Sequence, residues 1–167
     1  MSSWINAKAV TAGSVNVSGL VQDFQNNTYA GYHDDVNGYA WNPGVSGTNV
    51  NVESMTIKVD GNINLAKQVI NGMRDNTTVE LCDNVEVDEE VYIRADNVTI
   101  KGNGHTITAA DNFAVNLEGQ INLAKVEADN VTISDVKFVS TDKTKHTLDV
   151  YGADGLTLNN VVLDHTN

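Results

Sequence analysis

Cysteine is nearly absent from this chain. Cys82 stands alone, so no disulfide can form within one copy. Glu80 and Asp83 beside it disfavour a thiolate, which leaves a structural or incidental thiol rather than a nucleophile. Positive charge is scarce too: 10 Lys and Arg against 22 Asp and Glu give a formal net charge of −12. That balance argues against a basic nucleic-acid surface and against adhesion to an anionic membrane, and it leaves cationic partners, metal ions and neutral glycans open. No stretch approaches the ~20 apolar residues of a membrane span, so no membrane insertion is expected. The opening Met-Ser-Ser-Trp-Ile-Asn-Ala-Lys lacks the apolar core of a signal peptide. EF-hand loops and Gly-Gly-x-Gly-x-Asp calcium repeats are missing as well. What is present is a chain of one domain's length, 167 residues, rich in Asn, Thr and Gly.

A repeat organises it. Ala95-Asp96-Asn97-Val98-Thr99-Ile100 returns as Ala128-Asp129-Asn130-Val131-Thr132-Ile133, and more loosely as Ala153-Asp154-Gly155-Leu156-Thr157-Leu158. A short strand pattern recurring at such spacings is the mark of a solenoid in which each coil lays a strand beside the last. Side chains alternate along a strand, so Val98 with Ile100, Val131 with Ile133 and Leu156 with Leu158 point inward as an aliphatic column, with Thr99, Thr132 and Thr157 as an outer ladder. Asn97, Asn130 and Gly155 share a tolerance for positive φ, which predicts a left-handed corner before each strand. Asp96, Asp129 and Asp154 precede that corner, at a spacing of about 4.8 Å if the coils are in register. Each carboxylate then either accepts a backbone N–H in an Asx-type turn or shares calcium with the next coil. The missing calcium motifs favour the turn.

Residues 1–54 differ in texture. Short alternating patches at Ser14–Ser18 and Asn49–Glu53 read as edge-type strands of an irregular, β-rich N-terminal extension. Between them lie Tyr29, Tyr32, Tyr39 and Trp41 among Asn, Asp and Gly, with the only proline, Pro43. Tyr32, Tyr39 and Trp41 are candidates for carbohydrate binding, since rings stack on pyranose faces while polar neighbours read hydroxyls. The simpler alternative is that the rings tuck under the loop and anchor the extension. His33, Asp34 and Asp35 lack a nearby second histidine, so a metal site there has little support.

Residues 55–167 carry the solenoid. Apolar residues at 63, 66, 69, 70 and 73 follow a helical period and predict an α-helix over about 62–74 that covers the open end of the stack. Val79–Cys82, Val85–Val87 and Val91–Ile93 begin the coils, and an excursion follows at 109–119. Ile-Asn-Leu-Ala-Lys occurs both at 63–67, in the predicted helix, and at 121–125, in a predicted strand, so five residues do not determine their own structure. Val136–Val139, His146–Tyr151 and Val161–Asn167 supply the remaining strands. No closing helix follows them, which predicts a hydrophobic column open at its C-terminal end and available to end-to-end self-association.

Asp75 to Ile107, with Asn-Thr-Thr-Val-Glu-Leu, Val-Tyr-Ile and Asp-Asn-Val-Thr-Ile-Lys-Gly-Asn-Gly-His-Thr-Ile, resembles the opening coils of the right-handed parallel β-helix, or pectin-lyase-like, superfamily. The resemblance covers roughly residues 56–167 and implies three short parallel sheets per coil. It implies no single chemistry, since the superfamily includes polysaccharide lyases, hydrolases, phage tailspikes and adhesin-like or surface-layer proteins. The two arginines, Arg74 and Arg94, form no Arg-x-Lys element. Leu163-Asp164-His165 is similar to the Trp-Ile-Asp-His of pectate lyases, with Val162 in place of the tryptophan. The expectation is a non-catalytic module, extracellular, on a cell surface or in a virion, acting in structure, assembly or adhesion. Its expected partners are a second copy, a glycan or a cell surface, with calcium as the one conceivable cofactor. The alternative is the N-terminal portion of a carbohydrate-active enzyme or tailspike whose active coils lie beyond residue 167.

Overall fold

The structure, a computed structural model, describes residues 5–6, 9–17, 45–46, 49–59, 61, 64–73, 75–114 and 121–165. They contain β1 (Ile5–Asn6), β2 (Ala9–Val17), β3 (Val45–Ser46), β4 (Asn49–Val59), β5 (Thr77–Leu81), β6 (Val85–Val87) and β7 (Val91–Ile93). Then come β8 (Thr99–Lys101), β9 (Thr106–Ala109), β10 (Ala124–Val126), β11 (Thr132–Ser140), β12 (Leu148–Val150) and β13 (Thr157–His165). Every pairing among them is parallel. The chain is an all-β parallel solenoid of about 4 turns. Among the described residues no helix is long and apolar enough to cross a membrane.

Apart from β1 and β3, which pair with each other, the described strands fall on three faces. The first stacks β2, β4, β5, β8 and the leading parts of β11 and β13. The second stacks β6, β9 and the trailing parts of β11 and β13, and the third stacks β7, β10 and β12. Register turns the alternation of each strand into columns. Ile57, Val79, Ile100, Ile133 and Leu158 share one position, and Val85, Ile107, Phe138 and Leu163 share another. All but Leu158 and Leu163 are fully buried, each contributing about 1.5–3 kcal/mol from removal of apolar surface. β-Branched residues dominate because their restricted χ1 suits a pleated, packed surface. The outer ladder is longer than expected, since Thr56 and Thr78 precede Thr99, Thr132 and Thr157 in register.

The corners are left-handed, as Asn97, Asn130 and Gly155 foretold: φ is 56°, 55° and 69° there. Asn76 joins them with φ of 62°, and a second set of corners, between the first and second faces, uses Asn103, Asp135 and Asn160. An ordinary side chain loses about 1–2 kcal/mol in that conformation, and Asn and Asp lose less because they bond locally.

Two expectations meet a different structure. The helix is a single π-type turn, Leu65–Ile70, rather than an α-helix over 62–74; residues 62, 63 and 74 lie outside the described ones. Leu65, Ala66, Val69, Ile70 and Met73 are buried, and the Asn71 N–H closes the wide turn on the Ala66 carbonyl at 2.8 Å. The Asn71 side chain then meets β7, the edge of the third face. It accepts the Tyr92 N–H at 2.8 Å and donates to the Glu90 carbonyl at 2.9 Å, so a side-chain amide occupies the place of a peptide unit in the ladder. The second difference concerns the patches at 14–18 and 49–53. Their described residues belong to β2 and β4, parallel members of the eight-stranded sheet: β2 is at its edge, as expected, whereas β4 lies inside it between β2 and β5.

The repeated pentapeptide resolves cleanly. Leu65 and Ala66 lie in the helical turn, Leu123 and Ala124 lead into and begin β10, and all four are buried. Burial is common to both copies, and the following residues decide the backbone. Val69 and Ile70 continue a helical period, whereas Val126 is followed by the Asp129–Asn130 corner.

Candidate functional site

The three aspartates singled out in the sequence come together. Asp96 Oδ1 accepts the Asp129 N–H at 2.8 Å, and Asp129 Oδ1 accepts the Asp154 N–H at 2.9 Å. Asp75, which the repeat does not include, begins the ladder by accepting the Asp96 N–H at 2.8 Å. Each carboxylate thus reaches the backbone of the next coil rather than its own turn. Magnitudes explain why the ladder stands. Exposed like charges one strand apart repel by about 1 kcal/mol, whereas a hydrogen bond to a charged acceptor contributes about 1.5–3 kcal/mol. Asn130 adds a second rung, donating to Asn97 Oδ1 at 3.3 Å. Among the described residues no group of three or more His, Cys, Asp or Glu is placed to hold a metal ion.

A second cluster was not visible in the sequence. On the third face, Tyr92, Lys125 and Asp149 share one outward position, and register carries Arg94, Glu127 and Tyr151 to the next outward row. Lys125 Nζ lies 5.0 Å from the centre of the Tyr92 ring and 5.6 Å from that of Tyr151, and the Arg94 guanidinium lies 4.8 Å from the Tyr92 ring. Glu127 accepts from the Tyr92 hydroxyl and pairs with Lys125 at 3.1 Å. Those two bonds, Tyr92 first, hold the Glu127 carboxyl below its ordinary value. The bond to Glu127 raises the Tyr92 hydroxyl and, likewise, the Lys125 ammonium. Period-two alternation in Val91–Ile93 and Ala124–Val126 marks Tyr92 and Lys125 as outward, but only register shows that they meet.

Beside this cluster runs an open groove of about 380 Å³, lined in part by Asn71, Glu89, Glu90, Tyr92 and Arg94. Glu90 accepts the Asn122 N–H at 3.1 Å. Glu89 makes no hydrogen bond or ion pair among the described residues. Burial, then the charge of Asp88, raises its carboxyl above the ordinary value, against a smaller opposing effect of Lys67. An acid raised in this way disfavours the fold as pH climbs through the carboxylate range. Glu89→Gln is therefore expected to raise the melting temperature near neutrality and to leave it unchanged at about pH 3, where both side chains are neutral. Thermal melts at the two pH values check this; a lower melting temperature near neutrality would show that the charge stabilises.

The Asp164–His165 pair is absorbed by β11. Asp164 pairs with Lys137 at 2.6 Å, and His165 Nδ1 lies 2.8 Å from the buried Ser140 hydroxyl, itself 2.6 Å from Thr147. Tyr32, Tyr39 and Trp41, with His33, Asp34 and Asp35, lie outside the described residues.

The third place of note is the last coil. The large apolar side chains that are exposed among the described residues all lie on β13 or on and just after β12, the strand before it: Val150, Tyr151, Leu158, Val162 and Leu163, at 43–67 %. Leu158 and Leu163 continue the core columns, so the column itself reaches solvent there. No protein-family model, curated protein or solved structure matches the chain.

Proposed function

We propose that the chain is a non-catalytic β-solenoid module with a structural role, of the adhesin, surface-layer, filament or fibre kind, working outside the cell or on a surface and built like the pectin-lyase-like β-helices. The observation that carries this reading is the last described coil, where among the described residues β13 has a partner on one side only and the core columns end half-exposed. An open edge of parallel strands is a template for further strands. Hydrogen bonding within the fold supports the non-catalytic part: Asp96, Asp129, Asp164, His165 and Glu127 all serve coil-to-coil contacts. The outward Thr ladder and the net charge of −12 suit a solvated surface.

Size-exclusion chromatography with light scattering tests it. The expected result is a mass above that of one chain that grows with protein concentration and does not change with calcium or chelator. A monomer at every concentration overturns the assembly role and favours a longer carbohydrate-active protein, to be assayed on polyuronates and other acidic glycans.

A further inference from the structure

Every polar atom of Asn71 is engaged. Its N–H closes the π-type turn on the Ala66 carbonyl at 2.8 Å, and its own carbonyl accepts from the Arg94 guanidinium at 3.1 Å. Its side-chain oxygen accepts the Tyr92 N–H at 2.8 Å, and its side-chain nitrogen donates to the Glu90 carbonyl at 2.9 Å. A single helical turn has no stability of its own. Leu65–Ile70 is therefore held by this docking on β7 and by the burial of Leu65, Ala66, Val69, Ile70 and Met73.

The residue after Asn71 is Gly72. Asn before Gly is the pair most open to deamidation, because a residue without a side chain leaves its backbone nitrogen unshielded and free to swing towards the carboxamide. Docking opposes this, since a carboxamide held on β7 by both its atoms cannot turn towards Gly72. Among the described residues the other such pair is Asn103-Gly104, and it is held differently. The Asn103 side chain donates to the Leu81 carbonyl at 3.0 Å, and the Gly104 N–H donates to the Asp135 carbonyl at 2.8 Å. Leu81 belongs to the coil before and Asp135 to the coil after, so that pair is released only when coils part. Asn71 is released when one turn lifts.

We propose that Asn71 is a site of spontaneous deamidation, which makes a local opening of the 65–70 turn permanent. With the turn lifted, the Gly72 nitrogen attacks the side-chain carbonyl carbon of Asn71; the new C–N bond closes a succinimide and the bond from that carbon to the amide nitrogen breaks. The proton of the Gly72 N–H passes through solvent to the leaving nitrogen, which departs as ammonia, and water opens the ring to aspartate or isoaspartate. A carboxylate at position 71 accepts the Tyr92 N–H but has nothing to donate to the Glu90 carbonyl. It also sets a negative charge against that oxygen, in the groove that Glu89 and Glu90 already line. The turn then no longer docks, and the edge at β7 loses its partner and becomes a template for another strand.

Peptide mapping by mass spectrometry tests this, on the folded chain incubated in mildly alkaline buffer and on the same chain in denaturant. Folding is expected to slow conversion at Asn103 about tenfold or more beyond its effect at Asn71, because lifting one turn costs less than parting the coils. Equal slowing at the two sites, or greater slowing at Asn71, overturns the local opening. Conversion of Asn71 in denaturant alone overturns the site. Hydrogen exchange on Asn71→Asp tests the consequence: the amides of 65–70 and of Tyr92 are expected to exchange about tenfold or more faster than in the parent chain, with that of Ile133 in β11 unchanged. Unchanged exchange at Tyr92 overturns the loss of docking, and equal acceleration at Ile133 overturns its local character.

Discussion

Gly102→Ala is expected to cost about 3 kcal/mol or more of stability, the upper part of the range for forcing atoms into a packed site. Gly102 is buried at the turn between β8 and β9, and its N–H bonds the Ser134 carbonyl at 2.8 Å. A Cβ there would lie 2.3 Å from the Asp135 carbonyl oxygen, 2.4 Å from Val136 Cβ and 2.7 Å from Val136 Cα. Two of those atoms are backbone of the next coil, so no rotamer change relieves the clash and the coils must part. Gly104, two residues on, supplies the contrast. Its φ is +83° and nothing lies within 4 Å of a Cβ built on it, so Gly104→Ala loses only the backbone preference, about 1–2 kcal/mol. Thermal melts read the difference, at about 2–4 °C per kcal/mol for a domain of this size. Equal losses for the two variants would mean that the coils do not approach each other at Gly102 as described.

Phe138→Ala should destabilise by about 3–5 kcal/mol, the usual cost of emptying a buried aromatic site. Phe138 is 2 % exposed and lies between Ile107 and Leu163 in the column of the second face. Leu163 occupies the next position of that same column but is 50 % exposed. Leu163→Ala removes less buried surface and leaves no closed cavity, so about 1 kcal/mol is expected. Urea unfolding of both variants at low protein concentration measures this gap. Raising the concentration links stability to function: if copies stack on the last coil, Leu163 becomes buried and the cost of removing it grows. A concentration-independent gap would argue that the last coil stays open to water.

Much of the fold is legible in the sequence because it is written in local rules. Alternation at Val98 and Ile100, or Val131 and Ile133, specifies an inward column whatever the strand lies against. Asn97, Asn130 and Gly155 specify corners because few residues accept positive φ. These local signals, repeated, are enough for a parallel solenoid. The aspartates form a visible series for the same reason, although the reach of each carboxylate to the following coil depends on stacking.

Other features depend on contacts a whole coil apart. The rungs of the aspartate ladder are separated by 21, 33 and 25 residues, because the loops between faces differ in length. No fixed period could therefore have brought Tyr92, Lys125 and Tyr151 together, and Asp75 stands outside the visible series because Arg74 replaces the alanine that precedes the other three aspartates. The segment at 65–70 shows the limit of periodicity: apolar spacing requires a buried helical face, but the wide turn places Asn71 against β7, a partner the local sequence does not specify. By itself the sequence determined the inward and outward sides of the strands, the corners and the net charge, which are properties of a residue and its immediate neighbours. Tertiary structure alone decided which outward side chains meet and which backbone N–H each aspartate of the ladder accepts, because stacking joins residues whose distance in sequence is set by the loops between them.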